Sequence, residues 1–207
     1  MSQIINRHIY YTRLTFSSYL FADECEKYFL LKGMEQVRSL RDFQIYAFCV
    51  MDDMIHFLIK IGSGGPDEIR GILKECLATM EGRGPQPPEE RREIFSAQQG
   101  RFFIQEIRTT GDIVELIRYI HLLPVEYKYV QHPTYYWWSS FSCYRGTERK
   151  SPWESLVSDD EVMNALSEKD VQARMRLLQR HREAEEKGNP LPECLKVLPG
   201  LRKPDIA

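Results

Sequence analysis

The sequence predicts an α+β fold in which an antiparallel sheet packs against helices. Short runs rich in β-branched and aromatic residues alternate with segments whose apolar residues recur at helical spacing. Two of the strand-like runs are separated by only two residues, which predicts a hairpin and therefore antiparallel pairing. The composition, with 43% hydrophobic and 28% charged residues and a net charge of −2, is typical of a globular protein.

The first four elements follow from local patterns. HIYYTRLTF (residues 8–16) is aromatic and β-branched and predicts a strand. Residues 22–40 begin with acidic side chains and carry apolar residues at helical spacing, which predicts a helix. Residues 43–51 and 55–61 are predicted strands, with Asp52-Asp53 as the turn between them.

The next elements complete a recognisable order. Pro66 opens a second helix, residues 101–109 form a fourth strand, and residues 111–122 form a third helix that we expect Pro124 to end. The order β-α-β-β-α-β predicts a ferredoxin-like core with an antiparallel sheet, to which the third helix is added.

Composition places a domain boundary near residue 150. After Trp153 the chain has no Phe, Trp or Tyr; residues 158–188 predict one or two helices, and a proline-rich segment follows. We therefore predict a domain of residues 1–150 and a C-terminal helical extension of residues 151–207. No apolar run approaches the roughly 20 residues that span a bilayer, and five cysteines without CxxC spacing suggest neither a disulfide framework nor a zinc site. We expect a cytoplasmic protein.

Three features are candidates for function. His56 lies in a strand whose alternation places Met54 and Leu58 on the same face; a histidine with a satisfied ring is a more common case than a metal ligand. Tyr119 is a candidate nucleophile if a metal polarises the electrophile, although an aromatic residue that packs a helix onto a sheet is more common. Six aromatic residues within residues 132–146 predict either a base-stacking platform or an aromatic cluster under a loop.

These segments, in order, resemble the HUH-class single-tyrosine transposases, and most closely the REP-associated tyrosine transposases. That family has Met-Pro-Asn-His-x-His-Leu at a hairpin, an Arg-Phe strand, Tyr-Ile-His-x-Asn-Pro-Val at a helix end and then Trp-Ser-Ser. This chain has MDDMIHFL, RFF, YIHLLPV and WSS in the same order, and the resemblance covers about residues 8–146.

The resemblance implies a ferredoxin-like domain that binds single-stranded DNA, often at imperfect hairpins. It also implies a divalent metal, Mg²⁺ or Mn²⁺, held by two histidines and a polar residue, and a tyrosine that attacks the scissile phosphate to form a 5′-phosphotyrosine. The tyrosine falls on Tyr119 and the second histidine on His56. The first histidine falls on Met54 and the polar ligand on Leu123, and neither side chain suits a hard cation.

We therefore expect a DNA-binding protein of transposase descent that is impaired in catalysis. The alternative is an active tyrosine transposase with a rearranged metal site, to which Asp53 or Asp52 contributes a carboxylate. A third hypothesis is an interaction module whose DNA face has decayed. The expected partner is single-stranded or hairpin DNA bound by a monomer, and the candidate DNA-contacting residues, whose arginines could instead form local ion pairs, are Arg13, Arg101, Arg108, Arg118, Trp138 and Arg145.

Overall fold

A computed structural model describes residues 4–16, 19–80, 100–145, 151–166 and 170–196. Its centre is a four-stranded sheet of β1 (Ile4–Thr15), β2 (Phe43–Val50), β3 (Met54–Ile61) and β4 (Arg101–Thr109), in the order β2-β3-β1-β4. Every neighbouring pair of strands is antiparallel. The predicted α+β class and antiparallel sheet are therefore confirmed.

Helices cover both faces of this sheet. The helix α1 (Glu24–Arg38) follows β1, with the Asp23 carboxylate capping the backbone N–H of Cys25, and α2 (Pro66–Ala78) begins with a proline at its first turn. The helix α3 (Thr110–Glu126) follows β4 directly and carries Tyr119.

The expectation that Pro124 ends α3 is wrong. The helix continues to Glu126, and the next backbone N–H groups bond normally: that of Tyr127 donates to the carbonyl of Leu123 at 2.9 Å. A proline removes only its own N–H from the helical ladder. Pro124 is buried, so packing favours the continued helix.

The hairpin turn between β2 and β3 is anchored to the segment that joins β1 to α1. The backbone N–H of Phe16 donates to the carbonyl of Asp53, and that of Phe21 donates to the carbonyl of Asp52, both at 2.8 Å. The Lys27 ammonium, almost fully buried, lies 2.7 Å from the Asp52 carboxylate. These contacts hold the turn against the segment that follows the C-terminal end of β1.

The outer edge of β2 is covered by two later segments. Ser139 pairs with Cys49 in an antiparallel bridge, and Val157 pairs with Ile45 in a parallel one. A short helix α4 (Phe141–Tyr144) follows the first of these segments. At the opposite edge, β4 has no further strand beside it in the part of the chain that the structure describes.

The C-terminal extension forms α5 (Asp160–Leu166), α6 (Asp170–Lys187) and α7 (Glu193–Lys196). The last of these lies within the proline-rich segment, whose composition favours irregular structure; the four residues after Pro192 nevertheless close one helical turn around the buried Leu195. Leu177 and Leu195 are both fully buried in the same core cluster as the sheet. The predicted boundary near residue 150 falls outside the described residues. No helix among the described ranges is long and apolar enough to cross a membrane.

Candidate functional site

His56 lies at the middle of β3 and is 2% exposed. Its Nδ1 is 2.8 Å from the hydroxyl of Tyr11 on the neighbouring strand β1. Burial, and secondarily the positive charge of Arg13, lowers the pKa of His56 from 6.5 to about 3. The imidazole is therefore neutral at physiological pH.

The second ring nitrogen of His56 has no hydrogen-bond partner in the described parts of the chain. Its Nε2 is buried and makes no hydrogen bond to any described residue. A buried polar atom without a partner costs about 1–3 kcal/mol, so natural proteins keep few of them. Nε2 is the atom of this site that a bound cation or a hydrogen-bonding ligand would satisfy.

Tyr119 of α3 lies beside His56 of β3. The two rings are in an edge-on arrangement with centroids 6.4 Å apart, and Tyr119 is 7% exposed. Burial raises the pKa of the Tyr119 phenol well above its usual value of 10, and nearby Tyr127 adds to this rise. A phenol with a raised pKa is a poor nucleophile, because attack on a phosphate requires its proton to leave.

The side chains around His56 do not fit a divalent cation. Met54 offers a soft thioether and Leu123 offers no lone pair, and both are buried at the two ligand positions that the resemblance implies. Among the residues that the structure describes, no group of three His, Cys, Asp or Glu side chains could hold a metal.

The turn carboxylates do not complete the set. The Asp52 carboxylate already forms its ion pair with Lys27. Asp53 is half-buried, and burial raises its pKa, which disfavours the charged form that a hard cation needs. Of the two turn carboxylates, that of Asp53 is left as a candidate metal ligand. It lies close enough to Tyr127 for its negative charge to raise the pKa of that phenol.

Two of the predicted DNA-contacting arginines share the sheet face of His56. In the register of the sheet, Arg13 is opposite both His56 on β3 and Phe103 on β4, and Thr15 is opposite Arg101. Residues opposite each other, and residues two apart in a strand, lie on the same face. Arg13 is half-buried, whereas Arg101 is exposed.

Arg118 and Arg108 do not belong to that face. The Arg118 side chain is 3% exposed, and its guanidinium donates to Glu115, to the side chain of Asn189 and to the carbonyl of Pro190. It is a buried structural group, so its assignment as a DNA contact is corrected. Arg108 is seven residues after Arg101, therefore on the opposite face of β4, and is bound to Glu106 at 2.8 Å.

Trp138 and Arg145 lie towards the other edge of the sheet. Trp138 is half-buried, its ring centroid is 6.0 Å from that of Trp153, and its carbonyl accepts the N–H of Val50. This packing favours the structural interpretation of Trp138 over base stacking. Arg145 follows α4, whose Tyr144 hydroxyl donates to the carbonyl of Tyr46 on β2. Since β2 and β4 are separated by two strands, about 14 Å across the sheet, the structure does not bring Arg145 together with Arg101.

A second buried cluster joins two of the quoted motifs. His121 Nε2 is 2.7 Å from the Ser140 hydroxyl, and His121 Nδ1 is 3.0 Å from His181 Nε2. The carbonyl of Leu177 can only accept, so His181 donates to it from Nδ1–H and, as a neutral ring, has no proton on Nε2. His181 Nε2 therefore accepts from His121 Nδ1–H, and His121 Nε2 accepts from Ser140. All three side chains are fully buried, so the cluster holds helices together and has no access to a substrate.

No pattern in the sequence singles out Tyr11 or Lys27 as part of the site. Tyr11 is fully buried and contacts His56 only because β1 pairs with β3, which a single sequence does not reveal. Lys27 appears in the sequence as an ordinary helix-surface charge, and its burial against Asp52 depends on where the hairpin turn meets α1.

Comparisons with known proteins give one structural similarity. No family model and no curated protein matches the chain. A solved structure of a REP-associated tyrosine transposase bound to a REP hairpin is similar, with 21% sequence identity, a TM-score of 0.49, and coverage of 67% of this chain and 79% of that chain. The proposals that follow rest on the residues of this chain.

Proposed function

We propose that this protein binds single-stranded or hairpin DNA through a ferredoxin-like domain of transposase type and is impaired in strand transfer. The observation that carries the proposal is the placement of Tyr119 against His56, with Met54 and Leu123 buried at the other two ligand positions. The tyrosine and one histidine lie side by side, while the other two metal ligands that the resemblance implies are replaced by the apolar Met54 and Leu123.

Three physical features support impaired catalysis. The pKa of the Tyr119 phenol is raised by burial, so its hydroxyl holds its proton more firmly. A neutral imidazole at His56 is one donor where a bound divalent cation needs several. Tyr119 is also nearly inaccessible, so a phosphate can approach its hydroxyl only if neighbouring side chains move.

The order and pairing of the strands support the ferredoxin-like assignment. The described elements occur as β-α-β-β-α-β, and β1 and β3 lie at the centre of the sheet. Since neighbouring strands are antiparallel, β1 runs parallel to β2 and β3 runs parallel to β4, and in each case a helix lies between the two strands along the chain. Fold alone does not specify function, so DNA as the partner rests on the motifs and on Arg13 and Arg101, which share the sheet face of His56.

A binding and cleavage experiment tests the proposal. Wild-type protein should bind a single-stranded hairpin more tightly than a blunt duplex of equal length, with affinity that falls steeply as salt rises, because phosphate contacts release counterions. With Mg²⁺ or Mn²⁺ it should leave no covalent adduct on the hairpin. Equal, salt-insensitive affinity for both DNAs would contradict the binding part of the proposal.

An active transposase with a rearranged metal site is the second candidate. The observations that favour it are His56 Nε2, which has no hydrogen-bond partner among the described residues, and the half-buried Asp53 carboxylate near Tyr127. Its signature would be a wild-type protein–DNA adduct that disappears in Tyr119→Phe and in Asp53→Asn. That result would replace the impaired-enzyme proposal.

A further inference from the structure

Strand β4 presents two faces of different chemistry. Arg101, Phe103 and Gln105 alternate along one face, which we call the Arg101 face, and it is the face of the sheet that carries His56 and Arg13. The opposite face of β4 carries Phe102, Ile104, Glu106 and Arg108. Because β4 is an edge strand, its residues are less covered than those of the other three strands.

The charges of β4 are segregated between these faces. Its one carboxylate, Glu106, lies on the opposite face and is bound to Arg108. Arg101 is exposed and makes no ion pair with a described residue. The Asp52 carboxylate, in the turn before β3, forms an ion pair with Lys27. The Arg101 face therefore presents an exposed guanidinium and no acidic side chain of its own strand.

The aromatic residue of the Arg101 face contacts a residue of the neighbouring strand β1 on the same face. The Phe103 ring is half-buried, and its centroid lies 6.0 Å from that of Tyr11, at an interplanar angle of 59°. Tyr11 is in turn fixed by its hydrogen bond to His56. Phe102, the matching residue of the opposite face, is instead covered by the guanidinium of Arg70, 5.4 Å from its ring centroid.

We propose that the Arg101 face binds single-stranded DNA, with a base stacked on Phe103 and an adjacent backbone phosphate bound by Arg101. This inference rests on the proposed function and assigns a surface to it. An aromatic ring next to a basic side chain on a partly exposed edge strand suits a single strand of DNA, since every base has a stacking face and every nucleotide carries one charge. Paired bases in a duplex cannot stack on a side chain in this way, so the surface selects single strands.

The position of the Arg101 face explains how a strand would meet the rest of the site. Arg13 is opposite Phe103 in the sheet register and diagonal to Arg101, at roughly 7–8 Å between Cα atoms. A DNA strand bound to Phe103 and Arg101 would therefore pass next to Arg13, which lies between them and the buried His56. The contact requires no metal ion.

Paired substitutions on the two faces of β4 test the inference. The variants Phe103→Leu and Arg101→Gln change the Arg101 face, and Phe102→Leu and Arg108→Gln make the same changes on the opposite face. Binding of a fluorescein-labelled oligothymidylate, measured by anisotropy in EDTA at several salt concentrations, should weaken by about five- to a hundredfold in Phe103→Leu, because one stack is lost. Arg101→Gln should lower the salt slope by about one phosphate, and the two control variants should bind like the wild type.

The readouts separate this inference from the broader proposal. Thermal melting of each variant ensures that folded molecules are compared, and Phe103→Trp, which restores a stacking surface, should recover the affinity. If the wild type binds DNA and the variants of both faces lose affinity equally, or if no variant loses affinity, the assignment of the binding surface to the Arg101 face would be overturned while DNA binding itself would stand. A wild-type protein that binds neither the oligothymidylate nor a hairpin would overturn both. Preserved affinity in Phe103→Leu with a lower melting temperature would assign Phe103 to the core and overturn the stacking role.

Discussion

Burial shifts the pKa values of His56 and Tyr119 in opposite directions, and both shifts favour the neutral side chain. Burial is the largest cause of both shifts, and the positive charges of Arg13 and Arg118 offset only part of the rise at Tyr119. The same effect operates at His121 and His181, where burial lowers the pKa of both rings, that of His181 to about 4. Neutral imidazoles in the folded protein have a consequence for its stability.

Stability should fall as the pH drops below about 6.5. In the unfolded chain His56, His121 and His181 bind protons near pH 6.5, whereas in the folded protein their pKa values are depressed, to about 3 for His56 and about 4 for His181. Their contribution is therefore complete above the unfolded pKa and is lost on acidification, by up to about 2 kcal/mol for each histidine at pH 5. Urea unfolding between pH 7 and pH 5 measures this loss.

A substitution assigns part of the loss to one ring. The charged and titratable groups around His181 are His121, His132, Arg118 and Glu115. Because His181→Gln removes one ring that binds a proton in the unfolded chain, the slope of stability against pH should become shallower, even if the variant is less stable at pH 7. The control His8→Gln changes an exposed ring and should keep the wild-type slope. An unchanged slope in His181→Gln would contradict the depressed pKa.

Restoring the missing ligands should restore metal affinity. Met54→His together with Leu123→Asn adds two donors next to His56 Nε2, which has no partner among the described residues. Calorimetry should detect Mn²⁺ binding in the double variant and little in either single variant, because the ligands of one site act as a unit. The double variant should also form a covalent adduct with hairpin DNA that Tyr119→Phe abolishes. An adduct formed by the wild type would instead support the active-enzyme alternative.

At the scale of elements, the strands and helices were predictable because the spacing of apolar residues within a segment is enough to distinguish a strand from a helix. Strand β4 has the predicted bounds, and β2 ends one residue earlier than predicted. The extension of α3 past Pro124 was missed because it depends on tertiary packing of a buried proline. The site was predictable only in part: the proximity of Tyr119 and His56 followed from motif order, whereas the Tyr11 contact and the burial of Arg118 depend on strand register and on the docking of residues 189–190.

The segment beside β2 should depend strongly on Ser140. Its hydroxyl accepts the N–H of Phe48 at 2.9 Å and donates to His121 Nε2, so it links β2 to α3. Ser140→Ala leaves two buried polar groups without this partner and should cost about 1–3 kcal/mol for each group that stays unsatisfied. Ser142→Ala, a change of the same size at a half-buried position two residues later, should cost far less. Equal midpoints of denaturant unfolding for the two variants would contradict this role of Ser140.

At the scale of the whole molecule, the C-terminal extension contributes to the core of the sheet domain. The carbonyl of Tyr119 accepts from the side chain of Asn189, Arg180 pairs with Glu115 of α3, and Lys60 of β3 lies 2.7 Å from Glu161. Leu177 of α6 is fully buried in the shared core cluster. Because these contacts join residues far apart in the chain, we expect the extension and the sheet to unfold together.

Leu177→Ala tests this expectation with a probe outside the extension helices. The substitution removes a fully buried side chain and should cost about 2–5 kcal/mol, whereas Leu178→Ala, at the half-buried position next to it, should cost much less. Since α6 contains no tryptophan, fluorescence of Trp137, Trp138 and Trp153 reports on the segments against the sheet. If the two parts form one cooperative unit, Leu177→Ala shifts the fluorescence midpoint and the helical circular dichroism midpoint by the same amount. A shift confined to circular dichroism would instead mean that the extension unfolds independently, because only an uncoupled helix can lose stability without affecting the tryptophans.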